Sequence, residues 1–67
     1  MTLSNFILLL DIHGIPHEKF TSASVKIFTS ANREGCDIVE IIGAHMYLNG
    51  SPNFNVWQYL EMLTNCI

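Results

Sequence analysis

The stretch DIVEIIGAHMYLNG at positions 37–50 is the most β-prone part of the chain and decides its fold. Its β-branched residues favour a pleated, half-buried strand, because branched side chains pack well on such a surface. Strict alternation places Ile38 and Ile42 on one face of that strand and Val39 and Ile41 on the other. Large apolar groups on both faces predict a central strand that is covered on both sides.

Gly43 interrupts this stretch and leaves two interpretations open. Gly43-Ala44 is either the two-residue turn of a hairpin, since a type II′ turn takes glycine first, or a bulge in one long strand that ends near Asn49. The hairpin is slightly favoured. Glu40 within the run is interpreted as a carboxylate at the sheet edge or facing water beside Lys26. The alternative is an acid or base in an apolar setting, but no second catalytic group is tied to it by spacing.

The segments before the central stretch predict a helix and then a strand. Thr2 or Ser4 caps a helix from Leu3 to about His13, which Gly14 and Pro16 end. The chain from 17 to 29 is interpreted as one extended strand, with Lys26 and Phe28 on the face opposite Val25 and Ile27. A polar loop over 30–35 then returns the chain antiparallel into the central stretch.

The last segment predicts a second helix, with Ser51 or Asn53 as its cap and an end near Asn65. The buried stripe of this helix is expected to contain Val56, Leu60, Leu63 and Ile67. The fold class is therefore α+β, a single two-layer domain over residues 1–67. A small antiparallel sheet of two to three strands, in the order α-β-β-(β)-α, is expected to carry the N-terminal and C-terminal helices on one face.

Composition points to a surface that a protein partner covers. Hydrophobic residues make up 49% of the chain, and charged residues only 13% against a usual value of about 25%. Because so few charges solvate the surface poorly, we expect another protein or a second copy to cover part of it. A net charge of −3 with three scattered cations argues against nucleic-acid binding. No segment is long enough to span a membrane, so the expected location is cytoplasmic.

Candidate chemical sites in the sequence are weak. His13 and His17 have metal-pair spacing, and Cys36 and His45 add ligand types, but Gly14 and Pro16 break the helix that would align the first pair. A Cys36–His45 nucleophile pair lacks an orienting third group. Cys36 and Cys66 are expected to be free thiols. The sequence thus predicts a protein that is not an enzyme and that uses no metal or cofactor.

The favoured hypothesis is a small non-catalytic protein-interaction module, an inhibitor or regulator of a larger protein. In size and architecture the chain is similar to small accessory proteins of phages and mobile elements, which often inhibit a host enzyme or defence complex. One alternative is a structural homodimer without a separate partner, and another is a small metal- or thiol-dependent protein. The expected partner contacts are aromatic residues and a methionine, which are favoured at interfaces: Phe28, Tyr47, Phe54, Trp57, Tyr59 and Met62.

Overall fold

A computed structural model describes residues 1–29 and 34–66, and residue 66 is described by its backbone alone. The strands form one open antiparallel sheet in the order β1-β2-β3-β4. The predicted α+β class and element order are confirmed, but the sheet has four strands rather than two to three. The elements are α1 (Leu3–Ile12), β1 (His17–Thr21), β2 (Ser24–Phe28), β3 (Cys36–Ile42), β4 (His45–Leu48) and α2 (Val56–Cys66).

The additional strand arises because the segment from 17 to 29 is a hairpin, so the prediction of one extended strand was wrong. The Thr21 hydroxyl accepts a hydrogen bond from the Ala23 amide at 3.2 Å, which closes a side-chain turn of the kind that threonine forms. The register also shifts between Lys19 and Thr21. This turn contains neither glycine nor proline, so the sequence carried no strong turn signal there.

The hairpin interpretation of Gly43-Ala44 is confirmed. Ile42 pairs with His45 across the turn, and Gly43 has a φ of +61°, a conformation that glycine adopts without steric cost. The start of the polar loop predicted over 30–35 lies outside the described residues. At its base, the Thr29 amide donates to the Gly35 carbonyl oxygen at 2.9 Å.

Helix α1 begins and ends close to the predicted residues. The Thr2 hydroxyl caps it by accepting a hydrogen bond from the Asn5 amide at 3.2 Å. Gly14, at a φ of +67°, turns the chain out of the helix in the left-handed conformation. The Ile15 amide then donates to the Leu10 carbonyl oxygen at 2.9 Å, and the Ile15 side chain enters the core.

Helix α2 begins later than predicted, and neither Ser51 nor Asn53 caps it. Asn49 and Gly50 have φ values of 53° and 85°, and they form a tight turn that pairs Ser51 with Leu48. Ser51 is therefore held beside β4. The cap is Asn55, whose side-chain oxygen accepts from the Gln58 amide at 3.1 Å.

Both helices pack on one face of the sheet, as predicted. Inward-facing residues of β2 and β3 share the core with residues of α1 and α2. The predicted stripe position at 67 lies outside the described residues. The buried cluster comprises Phe6, Leu10, Ile15, Val25, Ile27, Val39, Ile41, Tyr59, Leu60 and Leu63.

Candidate interaction surfaces

An open groove of about 420 Å³ runs along α2 and the segment that leads into it. Four of its lining side chains are apolar or aromatic, and the other three are carboxamides. No lining side chain is ionisable at neutral pH, since the tyrosine is protonated there. We call this feature the α2 groove, and its lining residues are Leu48, Asn53, Phe54, Asn55, Gln58, Tyr59 and Met62.

Aromatic stacking fixes one wall of the α2 groove. Phe54 meets Phe6 of α1 edge-on, with ring centroids 6.1 Å apart at 79°. It also meets Tyr59 of α2, with centroids 5.3 Å apart at 67°. Edge-to-face pairs of this kind contribute about 0.5–1.5 kcal/mol beyond their buried area. Phe54 thus holds the segment before α2 against both helices.

A hydrogen-bond chain fixes the position of Tyr59. Its hydroxyl donates to Asp37 Oδ2 at 2.8 Å, and the Asn49 side-chain amide donates to Asp37 Oδ1 at 3.0 Å. Asp37 is the second residue of β3, so one carboxylate joins α2 to the sheet and to the turn after β4. Hydrogen bonds to a carboxylate are stronger than neutral ones.

Asn49 extends the pairing of β3 and β4 by one residue. The Asn49 amide donates to the Ile38 carbonyl oxygen at 2.8 Å. The Ile38 amide in turn donates to the Asn49 side-chain oxygen, also at 2.8 Å. A side chain thus takes the place of the backbone carbonyl, and asparagine tolerates the left-handed φ that this geometry requires.

The environment of Tyr59 disfavours its ionised form. Burial raises the pKa of its phenol well above the usual range, because a phenolate would lose its hydration. The hydrogen bond to Asp37 and the negative charge of that carboxylate raise the pKa further. Tyr59 is therefore a proton-retaining structural donor rather than a candidate acid or base.

The sheet face opposite the helices forms a second surface, which we call the open sheet face. Strand pairing places its members on the side away from the core, and no described helix covers them. Phe20 belongs to it, because its ring lies 5.2 Å from Lys26 Nζ. Its central residues are Phe20, Lys26, Ile38, Glu40, Ile42 and Tyr47.

The structure divides the six predicted contact residues among three places. Phe54, Tyr59 and Met62 line the α2 groove, although Tyr59 is only 5% exposed. Trp57 is 64% exposed, but it projects about 140° around the helix from Met62, since helical positions advance by 3.6 residues per turn.

The other two predicted residues lie on the opposite side of the molecule. Tyr47 is half-buried on the open sheet face, and Phe28 is buried on the same side of β2. The six side chains therefore do not form one continuous surface.

Sequence reasoning assigned no role to Asp37, gave Asn49 no contact with it, and did not foresee that three carboxamides would line the α2 groove. One signal for Asn49 was present, since Asn-Gly is the strongest two-residue turn signal and predicts the bend after β4. Nothing in the sequence marks Asp37 as the acceptor for Tyr59, which lies 22 positions further along the chain.

The candidate chemical sites do not assemble. Among residues 1–29 and 34–66, no three His, Cys, Asp or Glu side chains lie close enough to hold a metal ion. His13 and His17 each bond through Nδ1 to a backbone carbonyl oxygen, those of Leu9 and Ile15.

The suggested Cys36–His45 pair is ruled out by the strand register. Cys36 begins β3, and His45 pairs with Ile42 at the other end of that strand. Strand geometry therefore separates the two by roughly 20 Å. Cys36 is an exposed free thiol, whereas the Cys66 side chain is outside the described part of the structure.

No family model, curated protein or solved structure matches the chain. Within the described residues, neither helix has the length and apolar character needed to cross a membrane.

The Tyr59–Asp37 hydrogen bond predicts different effects for the same substitution at the two tyrosines. Tyr59→Phe should lower the free energy of unfolding by about 1.5–3 kcal/mol, the usual loss for a hydrogen bond to a charged group. Tyr47→Phe is the matched control and should change it by less than about 0.5 kcal/mol. Urea denaturation at neutral pH measures both, and equal losses would contradict the assigned role of Tyr59.

The raised pKa of Tyr59 also predicts a loss of stability in alkali. Above pH of about 10 the unfolded chain releases the phenolic proton while the folded chain retains it, so the free energy of unfolding falls with rising pH. This contribution amounts to at most about 1.4 kcal/mol per pH unit. Urea midpoints between pH 9 and about 11 should therefore fall more steeply for the wild type than for Tyr59→Phe. Parallel profiles would count against this environment for Tyr59.

Proposed function

We propose that this chain is a non-catalytic protein-interaction module, an inhibitor or regulator of a larger protein, that docks through the α2 groove. The supporting observation is the lining of that groove: an apolar floor beside three carboxamides, without a charged side chain. Its volume of about 420 Å³ lies within the range of sites that receive small groups. Since the groove is open along α2, its occupant is a side chain and the adjoining backbone of another protein.

The carboxamides indicate which kind of segment fits. Asn53 and Gln58 each offer donors and an acceptor, which suit the peptide groups of a partner backbone. A charged side chain of the partner is disfavoured in the groove, because it would lose its hydration there without gaining a counter-ion. The expected partner segment therefore carries an uncharged apolar side chain, such as leucine or phenylalanine.

Met62 is the side chain best suited to anchor this contact. It is 51% exposed and lies in the groove lining. Methionine adapts its shape to irregular apolar partners, because its side chain is unbranched and polarisable. Tyr59 and Phe54, which also line the groove, are held by the Asp37 hydrogen bond and the aromatic stack. This part of the groove is therefore formed before the partner arrives, which lowers the entropic cost of binding.

The test compares two variants that add the same charge to α2. Met62→Glu places a carboxylate in the groove and should abolish capture of the partner by the tagged chain. Thr64→Glu adds a carboxylate at an exposed position outside the groove, about 160° around the helix from Met62, and should leave capture unchanged. Quantitative mass spectrometry of proteins retained from the native cells measures both, with circular dichroism to confirm folding. Equal capture by both variants, or no protein retained by the wild type, would contradict the proposal.

A further inference from the structure

The two central strands of the open sheet face carry one charge of each sign among exposed apolar side chains. Lys26 of β2 and Glu40 of β3 are both half-buried by their neighbours on this face. Phe20 and Ile42 beside them are 56% and 55% exposed. Each large side chain leaves apolar area in water that a covering surface would remove.

The two charges do not satisfy each other within one chain. Lys26 pairs with Ile38, and Glu40 pairs with Ser24, so the two are diagonal neighbours. Lys26 Nζ lies over the Phe20 ring at 5.2 Å, on the side of β1. Among the described residues, the Glu40 carboxylate has no ion pair or hydrogen bond. Glu18 of β1 lies directly across from Lys26 but forms no ion pair with it. A surface that covers this face is therefore favoured when it brings an opposite charge to Lys26 and to Glu40.

We propose that a second copy of this chain covers the open sheet face through a two-fold contact. In such a contact Lys26 of each copy meets Glu40 of the other, so the two-fold symmetry produces two equivalent Lys26–Glu40 ion pairs. A face with both signs at diagonal positions is self-complementary, which is what a two-fold interface requires. This dimer is independent of the α2 groove, which lies on the helix side and stays accessible.

The diagonal placement also sets the packing of the two sheets. Lys26 and Glu40 lie one strand and two residues apart, about 4.8 Å across and about 6.8 Å along the strands. When Lys26 of each copy lies over Glu40 of the other, the strands of the two sheets cross at a steep angle, closer to orthogonal packing than to aligned packing. The face is roughly 20 Å in each direction, so each copy covers about 400 Å² of the other, which is the size of a weak, transient interface. We therefore expect weak self-association, with a dissociation constant in the micromolar range.

The sheet edges are poorer routes to association. Edge strand β1 carries Glu18 and Lys19 and a register irregularity, all of which discourage strand addition. Edge strand β4 has four residues, and the outward backbone groups of Leu48 are already bonded to Ser51. The remaining charged or titratable groups of the face, Glu18 and the imidazole of His45, are exposed on its outer strands.

The experiment exchanges the two charges. Lys26→Glu and Glu40→Lys are made separately, and dissociation constants are measured by sedimentation equilibrium, with circular dichroism to confirm folding. Each single variant opposes like charges across the two-fold axis and should associate with itself at least about tenfold more weakly than the wild type. An equimolar mixture of the two variants restores both opposite-charge contacts and should form dimers about as tightly as the wild type.

Three results would overturn the proposal. The wild type could remain monomeric across the micromolar range, which would leave the face to a different protein. The single variants could dimerise as tightly as the wild type, which would place the interface elsewhere. The mixture could fail to associate although both variants are folded, which would show that Lys26 and Glu40 do not meet across the interface.

Discussion

Two short helices can cover only one face of a four-stranded sheet, and this constraint organises the molecule. Helices of 10 and 11 residues pack on the side that carries Val25, Val39 and Ile41. The β-branched residues of β3 nevertheless alternate to both sides, so apolar groups also emerge on the uncovered side. In a chain of 67 residues the exposed apolar area is a large share of the surface.

The position of α2 depends on a single carboxylate. Asp37 accepts hydrogen bonds from Tyr59 and from the Asn49 side chain, which ties the last helix to the strand at the centre of the sheet. The same Asn49 turns the chain after β4 and sets the direction of the segment that contains Phe54. The α2 groove therefore depends on the contacts that bring α2 and the segment before it against the sheet. Its floor is fixed by hydrogen bonds between residues that lie far apart in the sequence.

Local patterns predicted the helices, the central hairpin and the face on which the helices pack, because periodicity and glycine positions carry that information. They missed the β1–β2 turn, because a hydrogen bond from the Ala23 amide to the Thr21 hydroxyl stabilises it, and no glycine or proline marks it in the sequence. They also grouped Trp57 with Met62, although the helix places the two on different flanks. The Tyr59–Asp37 bond lay beyond prediction, because nothing local marks which carboxylate a tyrosine 22 positions away will reach.

The central claim is that the two surfaces have different occupants, a second copy on the open sheet face and another protein at the α2 groove. Hydroxyl-radical labelling of the purified chain at increasing concentration tests this most directly, because it reports the exposure of each side chain. Labelling of Phe20 and Tyr47 should fall as concentration rises, while labelling of Trp57 and Met62 stays constant. Protection of Trp57 and Met62 in place of Phe20 and Tyr47, or unchanged labelling throughout, would contradict it.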